Sequence, residues 1–513
     1  MLQRGRGPAP SGTAADPEPP TGGRWPLVAV AIGVSAFLTT IDNTIVNVAL
    51  PSIQRDLHMS LPALQWVVVS YLLTFSALLL TGGRLADRYG RRRILLTGLA
   101  VFTAASVPAG MATNAAMLLT ARALQGAGAA LVLPAGLAIV AVGRTPRERD
   151  AGAAVWMAAL AAALATGPLA GGWLTQHLGW NWIFLVNVPV GLAGLLLGWL
   201  AIDESGRLRD ERVDAAGLLS GTVMLGAAAF ALIEGPGLGW GSSAVAGAAV
   251  LAGAAGICFG WAEHRATDPM VDVALVAERA LRGGIAASIL WGAGVNGVFF
   301  FTSLFLQRAA GFSATRTGLV FVPIAVLVVL VTPLTPGLVE RFGAARTSAA
   351  GLILVAAGLA AVALTRDQVT MLRLLPGVAA IGIGSALSVP LTSSVLAAVP
   401  PARTGVASSL LGVAREASGL VGISVIGLIV SAGHPVPTRG RLGGAFVSGY
   451  GTGLLAAAGL VLVAALIAGR TLPGRGGSEA VPQVTRRAAG TPARRPGAHR
   501  RPGRRARRGL PTG

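Results

Sequence analysis

The chain has 513 residues, of which 53% are hydrophobic and only 12% are charged, whereas a soluble domain is about one quarter charged. This composition excludes a soluble multidomain protein, because too little polar surface is available, and a single cysteine, Cys258, excludes a disulfide-stabilised fold. The basic residues behind the net charge of +20 are all arginines, since the chain has no lysine.

Apolar runs of about 18–25 residues predict 14 membrane-spanning helices, and therefore an all-α polytopic membrane protein. In chain order the predicted spans are 27–50, 64–81, 94–112, 116–139, 153–174, 182–201, 213–233, 244–262, 284–306, 315–338, 348–364, 371–399, 405–430 and 444–469. The first run is too long for a signal peptide and has no cleavage site.

Arginine is unevenly distributed between the predicted loops. With the N-terminus inside, the inner loops hold 20 arginines and the outer loops hold seven, apart from 12 in the tail that begins at Arg470. The positive-inside rule therefore predicts that both termini are cytoplasmic. The tail can attract anionic lipid or can simply be solvated, and we expect no binding to nucleic acid.

Two predicted loops share one pattern, which indicates an internal repeat. Segment 87–93 reads Asp-Arg-Tyr-Gly-Arg-Arg-Arg, and segment 340–346 reads Glu-Arg-Phe-Gly-Ala-Ala-Arg. Both follow the second helix of a six-helix unit if the seventh and eighth spans are an insert, and two related halves are common in transporters. The predicted organisation is a disordered leader 1–26, a first bundle 27–202, an insert 203–265, a second bundle 266–470 and a disordered tail 471–513.

The first of these loops has a mechanical interpretation. Gly83 and Gly90 allow a tight turn and a close approach of helices. Asp87 can face an arginine or the positive end of a helix, so that with Arg88 and Arg91 it would hold the inner side closed until the halves move. The alternative is that the arginines only fix the topology.

Four charged residues lie well inside the predicted spans, although each costs about 2.5–3.5 kcal/mol at the bilayer centre. Asp42 lies about 12 Å and Arg122 about 9 Å from the outer end of its span at 1.5 Å per residue, so the two can pair. Burial disfavours a charged carboxylate and a nearby arginine favours it, which suits a proton switch. The alternatives are a static pair, or an Arg122 that binds a carbonyl group.

The other two charges, Arg415 and Glu416, are neighbours in the thirteenth span and point about 100° apart. They could bind substrate, couple a proton or tie helices together, and a structural role is the favoured interpretation. In the fifth span, Gly167, Gly171 and Gly172 allow close packing, while Pro168 bends the helix and frees a carbonyl group. Such a helix could seal or hinge a pathway, or it could simply be packed.

These segments together resemble the major facilitator superfamily, in its fourteen-helix drug:proton antiporter branch, over roughly residues 27–470. The resemblance rests on segment 41–51 (Ile-Asp-Asn-Thr-Ile-Val-Asn-Val-Ala-Leu-Pro) in helix 1, the loop 87–93 after Gly83, segment 122–128 (Arg-Ala-Leu-Gln-Gly-Ala-Gly) in helix 4, and segment 167–172 (Gly-Pro-Leu-Ala-Gly-Gly) in helix 5. In that family the helix 4 arginine is linked to proton transfer, and the helix 5 motif marks exporters.

Two departures limit what can be carried over from the family. Members often have Trp-Arg-Trp before helix 6, where this chain has Trp-Asn-Trp at 180–182. Some relatives that export dications have an acid inside helix 10, and this chain has none there.

The resemblance implies proton-driven export of a lipophilic or amphipathic small molecule across the cytoplasmic membrane. A dedicated exporter of an endogenous metabolite, lipid precursor or siderophore is the alternative, and the helix 5 motif argues against an importer. The sequence has no phosphate-binding loop and no metal-ligand spacing among its five histidines, so we expect no enzyme activity, no metal and no cofactor. The expected partners are the substrate, protons and the bilayer, for a monomer whose substrate cavity lies between the halves.

Overall fold

The computed structural model describes residues 24–141, 145–204, 214–266, 273–366, 368–400, 403–431 and 444–472. Within these ranges the chain is helical and contains no strand. Fourteen helices are long and apolar enough to cross a membrane, which confirms the predicted multi-pass membrane protein. The predicted leader up to residue 23 and the predicted tail from residue 473 lie outside the described residues.

We number the spanning helices in chain order. They are α1 (Trp25–Asp56), α2 (Leu61–Tyr89), α3 (Arg91–Gly110), α4 (Ala115–Ala141), α5 (Pro146–His177), α6 (Trp182–Ala201), α7 (Ala215–Leu238), α8 (Ser243–Arg265), α9 (Arg279–Ala309), α10 (Ala314–Phe342), α11 (Ala344–Leu364), α12 (Met371–Ala397), α13 (Val406–Ser431) and α14 (Gly444–Thr471). A short helix, Val273–Val276, precedes α9.

Four spans change their helical geometry along their length, which the hydropathy pattern does not indicate. The changes are a break at Val186 in α6, a π-helical end Phe305–Ala309 in α9, a 3₁₀ turn Thr332–Leu334 in α10, and a break at Val389 in α12. The last two contain or precede a proline, which has no N–H to donate and interrupts the regular ladder of hydrogen bonds.

The same helix pairs pack in both six-helix groups. In the first group α1 packs on α5 and α3 on α4; in the second, α9 packs on α13 and α11 on α12. Glycines set the distances: a Cβ on Gly98 would lie 2.7 Å from the carbonyl oxygen of Gly128, and a Cβ on Gly351 would lie 2.6 Å from that of Gly384. Both contacts bring backbone against backbone, as small residues allow in membranes.

The repeated loop pattern also has one geometry in both places. Gly90 between α2 and α3 has φ of 105°, and Gly343 between α10 and α11 has φ of 85°, so both adopt a backbone conformation that other residues rarely accept. The preceding arginine lies over the adjacent aromatic ring in each case, with 5.3 Å to the ring centroid. The two turns are therefore structural copies of each other.

The two helices between the groups are not equally embedded. Helix α7 packs on α2 and on α13, and Trp66 donates a hydrogen bond to Glu234 at 3.1 Å. Helix α8 packs mainly on α7 and leaves large apolar side chains such as Ile257 exposed. Helix α7 thus contacts both six-helix groups, while much of α8 faces the surroundings.

The two groups meet at the end of the bundle that contains the α1–α2 turn. Gln307 donates to the carbonyl oxygen of Val48 at 2.8 Å, and Gln65 donates to that of Ile423 at 3.1 Å. Thr315 in α10 donates to the carbonyl oxygen of Gly172 in α5 at 3.3 Å. We call these three contacts the seal.

We expect Gly128→Ala to destabilise the protein by about 1–3 kcal/mol, because the new Cβ would lie 2.7 Å from the backbone nitrogen of Phe102. The melting temperature of the purified protein in detergent measures this. The matched control is Gly253→Ala in α8, where a Cβ meets nothing within 4 Å. Equal melting temperatures for the two variants would contradict close packing of α3 and α4 as a source of stability.

Candidate functional site

Asp42 of α1 and Arg122 of α4 are brought together in the interior, and both side chains are fully buried. Arg122 Nη1 lies 2.5 Å from Asp42 Oδ2, and Arg122 Nε donates to the carbonyl oxygen of Val67 in α2 at 3.1 Å. The two interpretations offered for Arg122, a pair with the acid and a bond to a carbonyl group, therefore both describe its contacts.

Neutral polar side chains complete this cluster, and the sequence reasoning assigned no role to them. Asn187 of α6 donates to Asp42 Oδ1 at 2.8 Å. Gln125 accepts from Arg122 Nη1 at 2.9 Å and donates to Ser106 of α3 at 2.8 Å. The signal for Gln125 was present, because residues three apart share a helix face. Asn187 had no such signal, since its position depends on the break in α6.

Aromatic rings enclose the guanidinium of Arg122. Its central carbon lies 4.4 Å from the ring centroid of Tyr71 and 5.7 Å from that of Phe184, so both rings can make cation–π contacts. Among the described residues, Arg122 Nη2 and Asn187 Oδ1 have no hydrogen-bond partner although both are buried. Such groups cost about 1–3 kcal/mol each, so the cluster retains one donor and one acceptor that a change of partners could satisfy.

A cavity of about 330 Å³ lies between the two six-helix groups. Its walls come from α1 and α5 on one side and from α9, α10, α12 and α13 on the other. Asn43, the neighbour of Asp42, lines it, as does Pro168. The buried acid and the cavity thus lie on adjacent faces of α1. The sequence placed such a cavity between the halves but could not name its lining.

Arg415 and Glu416 line this cavity. Arg415 Nη2 lies 3.3 Å from Glu416 Oε1, so their ion pair forms within α13. The arginine side chain is long enough to reach the neighbouring position, although adjacent residues of a helix point about 100° apart. The arginine side chain is 61% exposed and the glutamate only 13%.

In the predicted gating loop, Asp87 and Arg91 contact each other, and Arg91 also contacts α4. Asp87 lies 3.4 Å from Arg91, which also donates to the carbonyl oxygen of Ala138 in α4 at 3.0 Å. Arg88 lies over the ring of Tyr89. Gly90 forms the turn, whereas a Cβ on Gly83 would be in ordinary contact, 3.7 Å from Pro134. The close approach predicted for Gly83 occurs instead at Gly82, where a Cβ would lie 3.3 Å from Leu131 Cα.

The glycine motif of α5 faces two helices. A Cβ on Gly167 would lie 2.9 Å from Thr44 Cβ, and one on Gly171 would lie 2.6 Å from the carbonyl oxygen of Ile45, so both pack on α1. Gly172 packs on α10, where a Cβ would lie 2.9 Å from Thr315 Cα. Helix α5 is continuous through Pro168. The motif therefore packs α5 within its own group and against the other group.

Comparisons with known proteins match this architecture. The profile of the Major Facilitator Superfamily matches residues 32–423. The chain is 36% identical over 410 residues to the multidrug resistance protein Stp of Mycobacterium tuberculosis, with 79% of this chain and 76% of that protein covered. It is 34% identical to the tetracenomycin C resistance and export protein of Streptomyces glaucescens (82% and 79% covered).

A third relative matches most of the chain in sequence, and a solved structure matches most of it in fold. The puromycin resistance protein pur8 of Streptomyces alboniger is 34% identical over 484 residues, with 92% of this chain and 95% of that protein covered. The crystal structure of the POT family transporter PepTSo is similar with a TM-score of 0.64 at 16% identity, over 88% of this chain and 97% of that chain. At that identity the likeness concerns the fold alone.

We expect Gly318→Leu to open the seal, because a Cβ at Gly318 already lies 2.9 Å from the carbonyl carbon of Pro168 and a larger side chain must separate α10 from α5. Spin labels at Leu178→Cys and Gln368→Cys, in a Cys258→Ser background, should report longer distances by electron paramagnetic resonance. The control is Gly337→Leu in the same span, where a Cβ meets nothing within 4 Å. Unchanged distances in Gly318→Leu would show that the packing of Gly318 on Pro168 is not needed to keep the seal closed.

Proposed function

We propose that this chain, which belongs to the major facilitator superfamily, exports lipophilic or amphipathic small molecules, such as antibiotics or dyes, in exchange for protons. The observation that carries the proposal is the buried pair of Asp42 and Arg122 beside a cavity between two helix groups. Relatives named for multidrug resistance and for antibiotic export support the direction and the class of substrate.

The membrane is the cytoplasmic one, with both termini inside, as the arginine distribution favours. The seal then lies at the outer side, so the described conformation is closed to the outside. Export requires the seal to open while the inner side closes, and the loop with Asp87 and Arg91 supplies the charges for that closure. The transporter acts as a monomer.

A proton on Asp42 removes one charge of the buried pair. Arg122 then keeps its bonds to Val67 and Gln125 but loses its counter-ion, and the groups without partners, Arg122 Nη2 and Asn187 Oδ1, allow new arrangements. Because Asn43 follows Asp42 and lines the cavity, a shift of α1 changes the shape of the substrate site. Protonation and substrate release are coupled through this one helix.

The energy of one proton is sufficient for such export. A charge that crosses a potential of about 100 mV releases about 2.3 kcal/mol. Since 1.4 kcal/mol corresponds to a factor of ten, one proton can sustain roughly a fifty-fold gradient of a neutral substrate.

A dedicated exporter of one endogenous product is the second candidate. It is favoured by the 34% identity to a probable actinorhodin transporter of Streptomyces coelicolor, over 82% of this chain and 75% of that protein. The two candidates share the fold and the proton site and differ in the breadth of the cavity's substrates.

We expect Asp42→Asn to abolish proton-dependent efflux, because the amide cannot exchange a proton yet can still accept from Arg122. Efflux of a set of cationic, neutral and anionic dyes and antibiotics from energised cells measures this, with expression checked and a protonophore as reference. The matched control is Asp150→Asn, an exposed acid in the first turns of α5 that should leave efflux unchanged.

Efflux that persists in Asp42→Asn at the native rate would contradict the assignment of the proton site. Native protein that exports no member of the set would contradict broad export and leave the dedicated exporter as the better description.

A further inference from the structure

The cavity has an aromatic wall. Phe299 of α9 and Phe321 of α10 both line it, and their rings stack at 4.8 Å between centroids with an angle of 23°. Val295 and Ile324 extend the same wall. A flat apolar body can bury its surface against these side chains, at roughly 25 cal/mol per Å² of area removed from water.

The charged part of the lining is asymmetric. The formal charges of Arg415 and Glu416 cancel, but the two side chains are not equally accessible. The arginine side chain is 61% exposed, whereas the glutamate side chain is only 13% exposed. Arg415 Nε and Nη2 both donate to Glu416 Oε1 at 3.3 Å. Among the described residues Nη1 makes no hydrogen bond, so both N–H donors of this nitrogen, in a permanently charged group, remain for a ligand.

A second donor, the indole N–H of Trp291, belongs to a residue that lines the same cavity. Trp291 Nε1 has no hydrogen-bond partner within the described ranges, although it is buried, and Trp291 lines the cavity. The next residue, Gly292, packs so closely on α13 that a Cβ there would lie 2.7 Å from Ser418 Cβ. Ser418 donates to the carbonyl oxygen of Arg415, so the turn of α13 that bears Arg415 packs beside α9 at Gly292.

The remaining polar lining does not select for charge. Asn43, Asn47 and Asn296 line the cavity with carboxamides, which both donate and accept hydrogen bonds. Discrimination between an anion and a cation therefore falls on Arg415 and Glu416. The more exposed of the two, Arg415, presents a planar fork of donors that fits a carboxylate or a similar pair of oxygens.

From this arrangement we infer that the exported substrates are acidic amphiphiles: an apolar, preferably aromatic body that packs on Phe299 and Phe321, and an anionic oxygen group that binds Arg415. The anionic group of the substrate either takes the place of Glu416 at the guanidinium or binds the guanidinium together with Glu416. This inference rests on the proposed export function and narrows its substrate class.

The test is binding of three fluorescent probes of one shape to the full-length protein in detergent, near neutral pH. The probes are pyrenebutyrate, pyrenebutyramide and pyrenebutylamine, which are anionic, neutral and cationic. Fluorescence anisotropy should show that the anion binds about tenfold more tightly than the cation. A difference in affinity of this size is expected from one hydrogen bond to a charged group.

Variants of the charged corner separate its two residues. Arg415→Gln should weaken binding of pyrenebutyrate about tenfold and change binding of the amide little. Glu416→Gln should strengthen binding of pyrenebutyrate, because the competing carboxylate is gone. The matched control is Arg316→Gln, an exposed arginine at the start of α10 that does not line the cavity.

The inference fails if the cation binds as tightly as the anion, if the preference survives Arg415→Gln, or if none of the three probes binds. Failure here is distinguishable from failure of the proposed function. Dye efflux that depends on Asp42, together with a preference for pyrenebutylamine, would leave proton-driven export standing and overturn the acidic substrate class.

Discussion

The buried ion pair between Asp42 and Arg122 is the contact on which the first six-helix group depends. Removing one partner of such a pair leaves an uncompensated charge and costs about 3–5 kcal/mol. Its surroundings come from five helices: the acid from α1, a carbonyl group from α2, Ser106 from α3, the arginine from α4 and Asn187 from α6. Satisfying two charges therefore fixes how these helices pack.

The remaining helix of that group, α5, does not contribute to this cluster and packs at the boundary between the groups. Gly167 and Gly171 pack it on α1, while Gly172 packs it on α10 of the second group. Its Pro168 lines the cavity. The first group thus has two parts: a buried polar centre on one face of α1, next to the cavity, and a close-packed helix at the boundary with the second group. The second group contributes the aromatic and charged walls of the cavity.

Much of the fold was predictable because its determinants are local in sequence. Hydropathy gives the spans, and the loop pattern around Gly90 and Gly343 gives two turns of one geometry. The pairing of Asp42 with Arg122 was accessible because few charges lie in the spans and depth along a helix is simple arithmetic. The position of Asn187, the break in α12 and the exposure of Arg415 depend on tertiary packing, which no local pattern encodes.

The insert helix α7 would have a mechanical effect on any relative movement of the two helix groups. It packs on α2 in one group and on α13 in the other, and one hydrogen bond, from Trp66 to Glu234, ties it to α2. At Gly226 the side chain of Leu73 packs close to the backbone of α7, where a Cβ would lie 3.3 Å from Leu73 Cδ2. A relative displacement of the groups would change the packing of α7 on at least one of these two helices. The insert therefore ties the geometry of the two groups together along this side of the bundle.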